Sequence, residues 1–181
     1  MIIFDTETSD LTAPEAAPIH QQPYIIELAA LKVDPKTFKV LDRLEFLCSI
    51  PVPLKPEITE ITGITPAMLK GKPPIAAHLP AMQEFFLGER HLVAHNLAFD
   101  RDMVRHELIR HGLTMQFPWP PIHICTVEAS MSLEGYRLNL GKLHKMLLGK
   151  EHTEAHRAMK DVEALASVVK ALAKKGLVNI A

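Results

Sequence analysis

The sequence predicts an α/β fold in which a five-stranded mixed sheet is flanked by helices. Two observations carry this: β-type segments come first in close succession, and helices then alternate with short strands. Residues 1 to 8 are apolar and then acidic and Thr-rich, Tyr24 to Val33 is rich in β-formers, and Phe38 to Cys48 alternates loosely. Three successive strands, a meander, are expected there. The period then changes. Ile75 to Leu87 reads as a helix, His91 to Ala94 as a short strand, and Ala98 to His111 as a helix ended by Gly112. Ile122 to Thr126 is the last strand, and the remainder is helical. One helix there spans Leu138 to Leu148, closed by Gly149, and a final one spans about Arg157 to Lys175. Gly176 closes the latter, and Lys174 and Lys175 sit in its last turn. The 14 prolines cluster at 14 to 23, 51 to 74 and 118 to 121, which read as loops rather than linkers.

A chain of 181 residues fits one domain, spanning 1 to 181. With 48% hydrophobic and 23% charged residues it can bury a sizeable core and lies far from disordered composition. Lys and Arg number 20 against 21 Asp and Glu, so no broad attraction to a polyanion exists, and any nucleic-acid contact must be local. Cys48 and Cys125 stand far apart without a Cys-x-x-Cys partner, which indicates neither a disulfide framework nor a cysteine zinc site. No basic-then-apolar leader pattern precedes Asp5 and Glu7, and no apolar run reaches about 18 residues. A cytoplasmic protein in a reducing compartment is expected, with no membrane contact.

The chemistry-bearing residues come in three groups. In Phe4-Asp5-Thr6-Glu7-Thr8 the period of a strand puts both carboxylates on one face. Taken alone, the pair also reads as a solvated strand end. In His95-Asn96-Leu97-Ala98-Phe99-Asp100, Asp100 falls in the first turn of a helix, where a carboxylate also suits the macrodipole. In His156-Arg157-Ala158-Met159-Lys160-Asp161, five residues on an ideal helix would leave the two side chains roughly 140° apart. The pair can share a site if His156 sits in the loop or frayed first turn, with Asp161 inside the helix and directed at the sheet. His95, Asn96, His123 and Cys125 do not match a recognised zinc spacing.

Together, Asp5 and Glu7, Asp100, then His156 and Asp161 resemble, in order and internal spacing, the three motifs of the DEDDh (DnaQ-like) 3′-to-5′ exonucleases. The resemblance runs from residue 1 to about 170 and includes Ile61-Thr62-Gly63-Ile64-Thr65 and the Leu138 to Leu148 helix. It implies an RNase H-like fold, in agreement with the strand and helix order. It also implies that Asp5, Glu7 and Asp161 bind metal directly, that Asp100 helps hold a second metal, and that His156 is the general base. Four carboxylates in one pocket would repel one another unless cations compensate, and hard oxygen ligands favour two Mg²⁺ or Mn²⁺ ions over zinc. Such a pair of ions suits in-line hydrolysis of a terminal phosphodiester, which releases a nucleoside 5′-monophosphate.

By motif position, Leu11 is the apolar residue set beside the terminal base. Thr8 offers a hydroxyl and a backbone N–H near the 3′ end, Phe99 packs on the last sugar or base, and Ile64 belongs to the opposite wall of the groove. Leu11 also reads as an ordinary loop hydrophobe and Phe99 as a core residue. The sequence departs from many relatives after Thr8: Ser9 and Asp10 replace Thr-Gly, Asp10 adds a negative charge near the strand's path, and a longer loop runs to Pro23. That loop is either a lip restricting access or a plain insertion.

The expected substrate is DNA with a free 3′ end, single strands favoured, with RNA or short oligoribonucleotides as the alternative. An inactive partner-binding module would lack one of the metal carboxylates, and none is lacking. A proofreading role beside a polymerase remains open. The chain ends at Ala181 without a long tail, so independent action is expected.

Overall fold

The computed structural model describes residues 1–11, 13–14, 16–113, 117–152 and 156–180. Its five strands are β1 (Ile2–Thr8), β2 (Ile25–Val33), β3 (Val40–Leu47), β4 (His91–Ala94) and β5 (Ile122–Cys125). They lie in the order β3-β2-β1-β4-β5. The first three pair antiparallel, and β4 is parallel to both β1 and β5, so the sheet is mixed as expected.

The alternation of β1 decides which side of the sheet each residue serves. Ile2 and Phe4 enter one apolar cluster with Met82, Phe86, Val104 and Leu108. These belong to the helices α3 (Leu79–Phe86) and α4 (Leu97–Arg110). Met1 and Ile3 enter a second cluster with Leu143, Val162, Leu165 and Val169. The latter come from α6 (Leu140–Leu148) and α7 (Ala158–Lys174), while α5 (Thr126–Glu134) follows β5 directly. The sheet is therefore covered on both faces.

Two departures from the sequence reading have the same cause. The proline-rich stretch 51 to 74 holds two short helices, α1 (Pro56–Thr62) and α2 (Pro66–Leu69), each opening on a proline. Proline at the first helical position loses no hydrogen bond, since that N–H would have had no partner. Conversely, the helix expected over Ile75 to Leu87 is divided into a 3₁₀ turn, Ile75–Ala77, and α3. Pro80 cannot donate to the carbonyl of Ala76 and its ring collides there, so one continuous helix is excluded. The glycines read as helix stops behave as such: Gly149 has φ +70°, and its N–H bonds the Lys145 carbonyl.

The loop between β1 and β2 is tied to α4. The Arg110 guanidinium stacks on the Tyr24 ring at 4.0 Å and donates to the carbonyls of Ile19, Gln22 and Pro23 at 3.0, 2.6 and 2.9 Å. Thr12 and Glu15 of this loop lie outside the described residues. No helix is long and apolar enough to cross a membrane among the described residues.

Candidate active site

Asp5 and Glu7 share the α7 face of β1 and meet Asp161, which stands in the first turn of α7. Carboxylate oxygens of these three residues lie within 4.8 Å of one another, and among the described residues this is the one His/Cys/Asp/Glu group so placed. A set of only hard oxygens at this spacing fits a divalent cation such as Mg²⁺ or Mn²⁺.

Thr6, between them, faces the opposite way and meets α4. Its backbone N–H and its hydroxyl both donate to Oδ1 of Asp100, at 2.9 and 2.8 Å. Asp100 is only 2% exposed. One strand thus places two carboxylates directly and a third through the intervening threonine. Asn96, which opens α4, has φ +73°, a left-handed conformation that asparagine tolerates better than most residues.

Burial and mutual repulsion make these acids resist ionisation. Burial, then the neighbouring Asp161 and Glu27 charges, push Glu7 up to about 8. Burial raises Asp100 to about 7 against the pull of its Thr6 hydrogen bonds. Asp5 lies well above the usual carboxylate range, through burial and then the charges of Asp100 and Glu7. Such shifts mark a pocket built for compensating positive charge.

His156 lies outside α7, as the spacing argument requires, exposed and with φ +67°. Its backbone N–H donates to Asp161 Oδ2 at 2.7 Å. The next residue, Arg157, is fixed from below. Its guanidinium forks onto Glu27 of β2, with Nη2 at 2.8 Å and Nε at 3.2 Å from Oε1. Glu27 Oε2 also accepts the Ala158 N–H at 2.9 Å. Glu27 is 1% exposed and stands opposite Glu7 in the sheet register. The Arg157 fork therefore both compensates a buried charge and pins the turn that carries His156.

Two of these contacts have no counterpart in the sequence reading. Glu27 has a visible signal, a lone charge inside the apolar run Ile25-Ile26-Glu27-Leu28-Ala29, because a buried carboxylate requires a partner. His152 has none. Its Nε2 lies 2.6 Å from Asp161 Oδ1, reached through the connection between α6 and α7, for which no spacing rule exists. Each Asp161 oxygen keeps a further lone pair, so these contacts do not exhaust it as a ligand.

The four candidate substrate residues differ in availability. Leu11 is 78% exposed on the loop after β1. Phe99 is half-buried and packs against the α3/α4 cluster, in keeping with its core reading. The Thr8 hydroxyl donates to the Asp10 carbonyl at 2.7 Å. Ile64 differs from the expectation of an accessible side chain: it is 0% exposed and fills a cluster with Ile26 and Leu69, so its side chain is turned into the core. It enters the core because Gly63, at φ +69°, turns the chain inward after α1. The negative charge of Asp10 is met by the Lys55 ammonium, which, ahead of the Leu11 N–H, holds its pKa below the usual value.

An exonuclease family model, RNase_T, matches residues 2–169. The DNA polymerase III PolC-type protein of Clostridium perfringens is 32% identical over 174 residues, covering 96% of this chain and 11% of that protein. That of Halalkalibacterium halodurans is 35% identical over 168 residues, covering 90% and 10%. The chain thus spans about a tenth of the length of these relatives. Among solved structures, exonuclease X in complex with 5′ overhanging duplex DNA is 26% identical with a TM-score of 0.67, covering 97% of this chain and 92% of that one. The nuclease domain of 3′hExo, a DEDDh family member bound to rAMP, shares the fold at 16% identity and a TM-score of 0.76, covering 97% and 92%.

Proposed function

The chain belongs to the DEDDh (DnaQ-like) exonuclease family, and from that premise we propose that it is a metal-dependent 3′-to-5′ exonuclease that releases nucleoside 5′-monophosphates. The observation that carries this is the meeting of Asp5, Glu7 and Asp161 within 4.8 Å, with Asp100 bonded to the intervening Thr6 and its charge acting on Asp5. Residues 1 to 181 act as one exonuclease domain. Asp5, Glu7 and Asp161 would hold the ions directly, with Asp100 supporting the second. When bound, two Mg²⁺ or Mn²⁺ ions supply Lewis acidity on both the attacking and the departing side of the phosphorus.

The chain's own residues do the rest. An imidazole nitrogen of His156 takes the proton of the attacking water. Such general-base assistance is typically worth about 10² to 10⁴ in rate. The turn bearing His156 is held on both sides, by Asp161 through its own N–H and by Glu27 through Arg157. Base and metal ligand therefore keep a fixed relation. Exposed Leu11 abuts the terminal base, and Phe99 and Thr8 border the last nucleotide.

DNA is favoured as substrate because the PolC-type relatives are DNA polymerases by name and exonuclease X was solved with DNA. The PolC-type match also supports work beside a polymerase as one setting. We assign the protein to the cytoplasm, to which the free thiols of Cys48 and Cys125 are suited. The test is incubation with 5′-labelled single-stranded DNA, duplex DNA and RNA, with Mg²⁺, Mn²⁺ or EDTA. Laddering from the 3′ end that EDTA abolishes is expected, fastest on single-stranded DNA. Mid-chain cuts, or no cleavage under metal saturation, would refute the reading.

A further inference from the structure

Away from the carboxylates, α6 and α7 enclose a groove of about 610 Å³. Leu147 lies on its apolar floor, and Lys150, Lys170, Lys174, Lys175 and His144 line its walls. No Asp or Glu lines it among the described residues. The neighbouring acids are paired elsewhere, Glu163 with Arg43 at 2.6 Å and Glu151 with Lys145. Among the described residues none of the four lysines forms an ion pair, and Lys170 lies 5.8 Å from the Phe38 ring centroid. In a chain of net charge −1, this is a local concentration of cations.

The groove leads to the reaction centre. Lys160, Ser167 and Lys174 recur every seven residues, with Lys170 three beyond Ser167, so they form one stripe along the outer face of α7 that starts one residue before Asp161 and about 100° around the helix from it. At 1.5 Å per residue, Lys170 and Lys174 stand roughly 14 and 20 Å along the axis from Asp161. Between them lies a smaller cavity of about 270 Å³, lined by His144, His152, Lys160 and Ser167 and by Glu151 and Glu163, the two acids already paired with Lys145 and Arg43. His144 borders both cavities, and His152 touches Asp161. The last-turn lysines also complement the macrodipole of α7, a role that Lys150 and Lys170 do not have.

We propose that this groove is an exosite for the phosphodiester backbone of single-stranded nucleic acid, gripping the strand upstream of the bond to be cut. At about 3.4 Å per stacked nucleotide, the lysines would meet phosphates about four to six nucleotides from the end. The apolar floor receives the sugars and bases while the ammonium groups take the phosphates. The proposal rests on the exonuclease reading for the direction of the strand.

Fluorescence anisotropy of 5′-labelled dT20 and dT3 in EDTA, from 20 to 200 mM KCl, tests it without cleavage. Compared with wild type, the K150Q/K170Q double variant should bind dT20 about fivefold to tenfold more weakly, and its log–log salt slope should fall by about 1.4, two contacts at ~0.7 each. Binding of dT3 should be unchanged. Unaltered dT20 affinity and salt slope in a variant with native circular dichroism would overturn the exosite. So would equal losses on both oligonucleotides, or displacement of dT20 by poly-glutamate at lower charge concentration than by unlabelled dT20. Absent 3′ cleavage in wild type with Mn²⁺ would instead overturn the exonuclease reading, which keeps the two failures distinct.

Discussion

Withdrawing divalent ions should make the fold lose stability as the solution passes from pH 6.5 to 8. The cause is the raised pKa of Glu7, about 8, of Asp100, about 7, and of Asp5, well above the usual range. An acid with a raised folded pKa keeps its proton where the unfolded chain has lost it, so the native state binds more protons and unfolding becomes easier as pH rises. The contribution is complete below the unfolded values near 4 and disappears through pH 7 to 8. Each retained proton is worth about 1.4 kcal/mol per pH unit, so even one such acid costs about 2 kcal/mol across the window from 6.5 to 8. For a domain of this size that is a fall in Tm of roughly 4–8 °C.

The histidines work in the opposite sense. His78, His91, His95 and His106 have lowered pKa values, His95 to about 4, chiefly through burial, so their contribution is lost as pH falls and becomes complete only about one unit above the unfolded value near 6.5. Comparison with D5N/E7Q, which keeps all four histidines, separates the two. Differential scanning calorimetry in EDTA and in 5-fold steps of Mn²⁺, on wild type and D5N/E7Q, measures the effect. Wild type in EDTA should fall with pH relative to D5N/E7Q, and Mn²⁺ should abolish or reverse that difference. A wild-type profile in EDTA that does not fall relative to that of D5N/E7Q would refute the electrostatic account of the cluster.

Three further outcomes are expected. His156→Ala should lower kcat by about 10² to 10⁴ while Mn²⁺ still raises Tm as in wild type, and a wild-type rate at metal saturation would remove His156 as the base. Asp100→Asn keeps an oxygen for both Thr6 donors, so its Tm in EDTA should stay at or above that of wild type while hydrolysis is lost; retained activity would exclude a metal role. Glu27→Ala removes the partner of Arg157 and the acceptor for the Ala158 N–H. It should cost about 3 kcal/mol by urea titration, and a cost under about 0.5 kcal/mol would show that the clamp is not structural.

The parts of the site that can be read along the chain are those set by local period. Asp5 and Glu7 share a face because β1 alternates, and His156 had to leave the helix because five helical residues would have separated it from Asp161. What could not be read depends on packing between distant elements. The partnership of Thr6 with Asp100 spans 94 residues and that of Arg157 with Glu27 spans 130, and neither has a periodic signature. Ile64 illustrates the reverse limit: a motif position marks a segment near the groove, but whether its side chain faces substrate or core depends on the turn at Gly63 and on the space beside Ile26. Proline likewise identified boundaries well and interiors poorly, because it opens α1 and α2 as readily as it divides the Ile75 to Leu87 stretch.

Strand register ties the catalytic groups to the stability of the sheet. In β1, Ile3, Asp5 and Glu7 address α7 while Phe4 and Thr6 address α4, so a slip of one residue would turn the carboxylates away from Asp161 and Thr6 away from Asp100. That register is fixed at the strand's start, where the Met1 amino group donates to the Val33 carbonyl at 2.8 Å and to Glu89 at 2.8 Å, and by the burial of Ile2, Ile3 and Phe4. Directly opposite Glu7, Glu27 would add a like charge on the same face. The Arg157 fork offsets it and at the same time draws the start of α7, with Asp161 and His156, onto the strand that carries the other two ligands. The repulsion between two facing glutamates is thus resolved by the residue that seats the third carboxylate and the base.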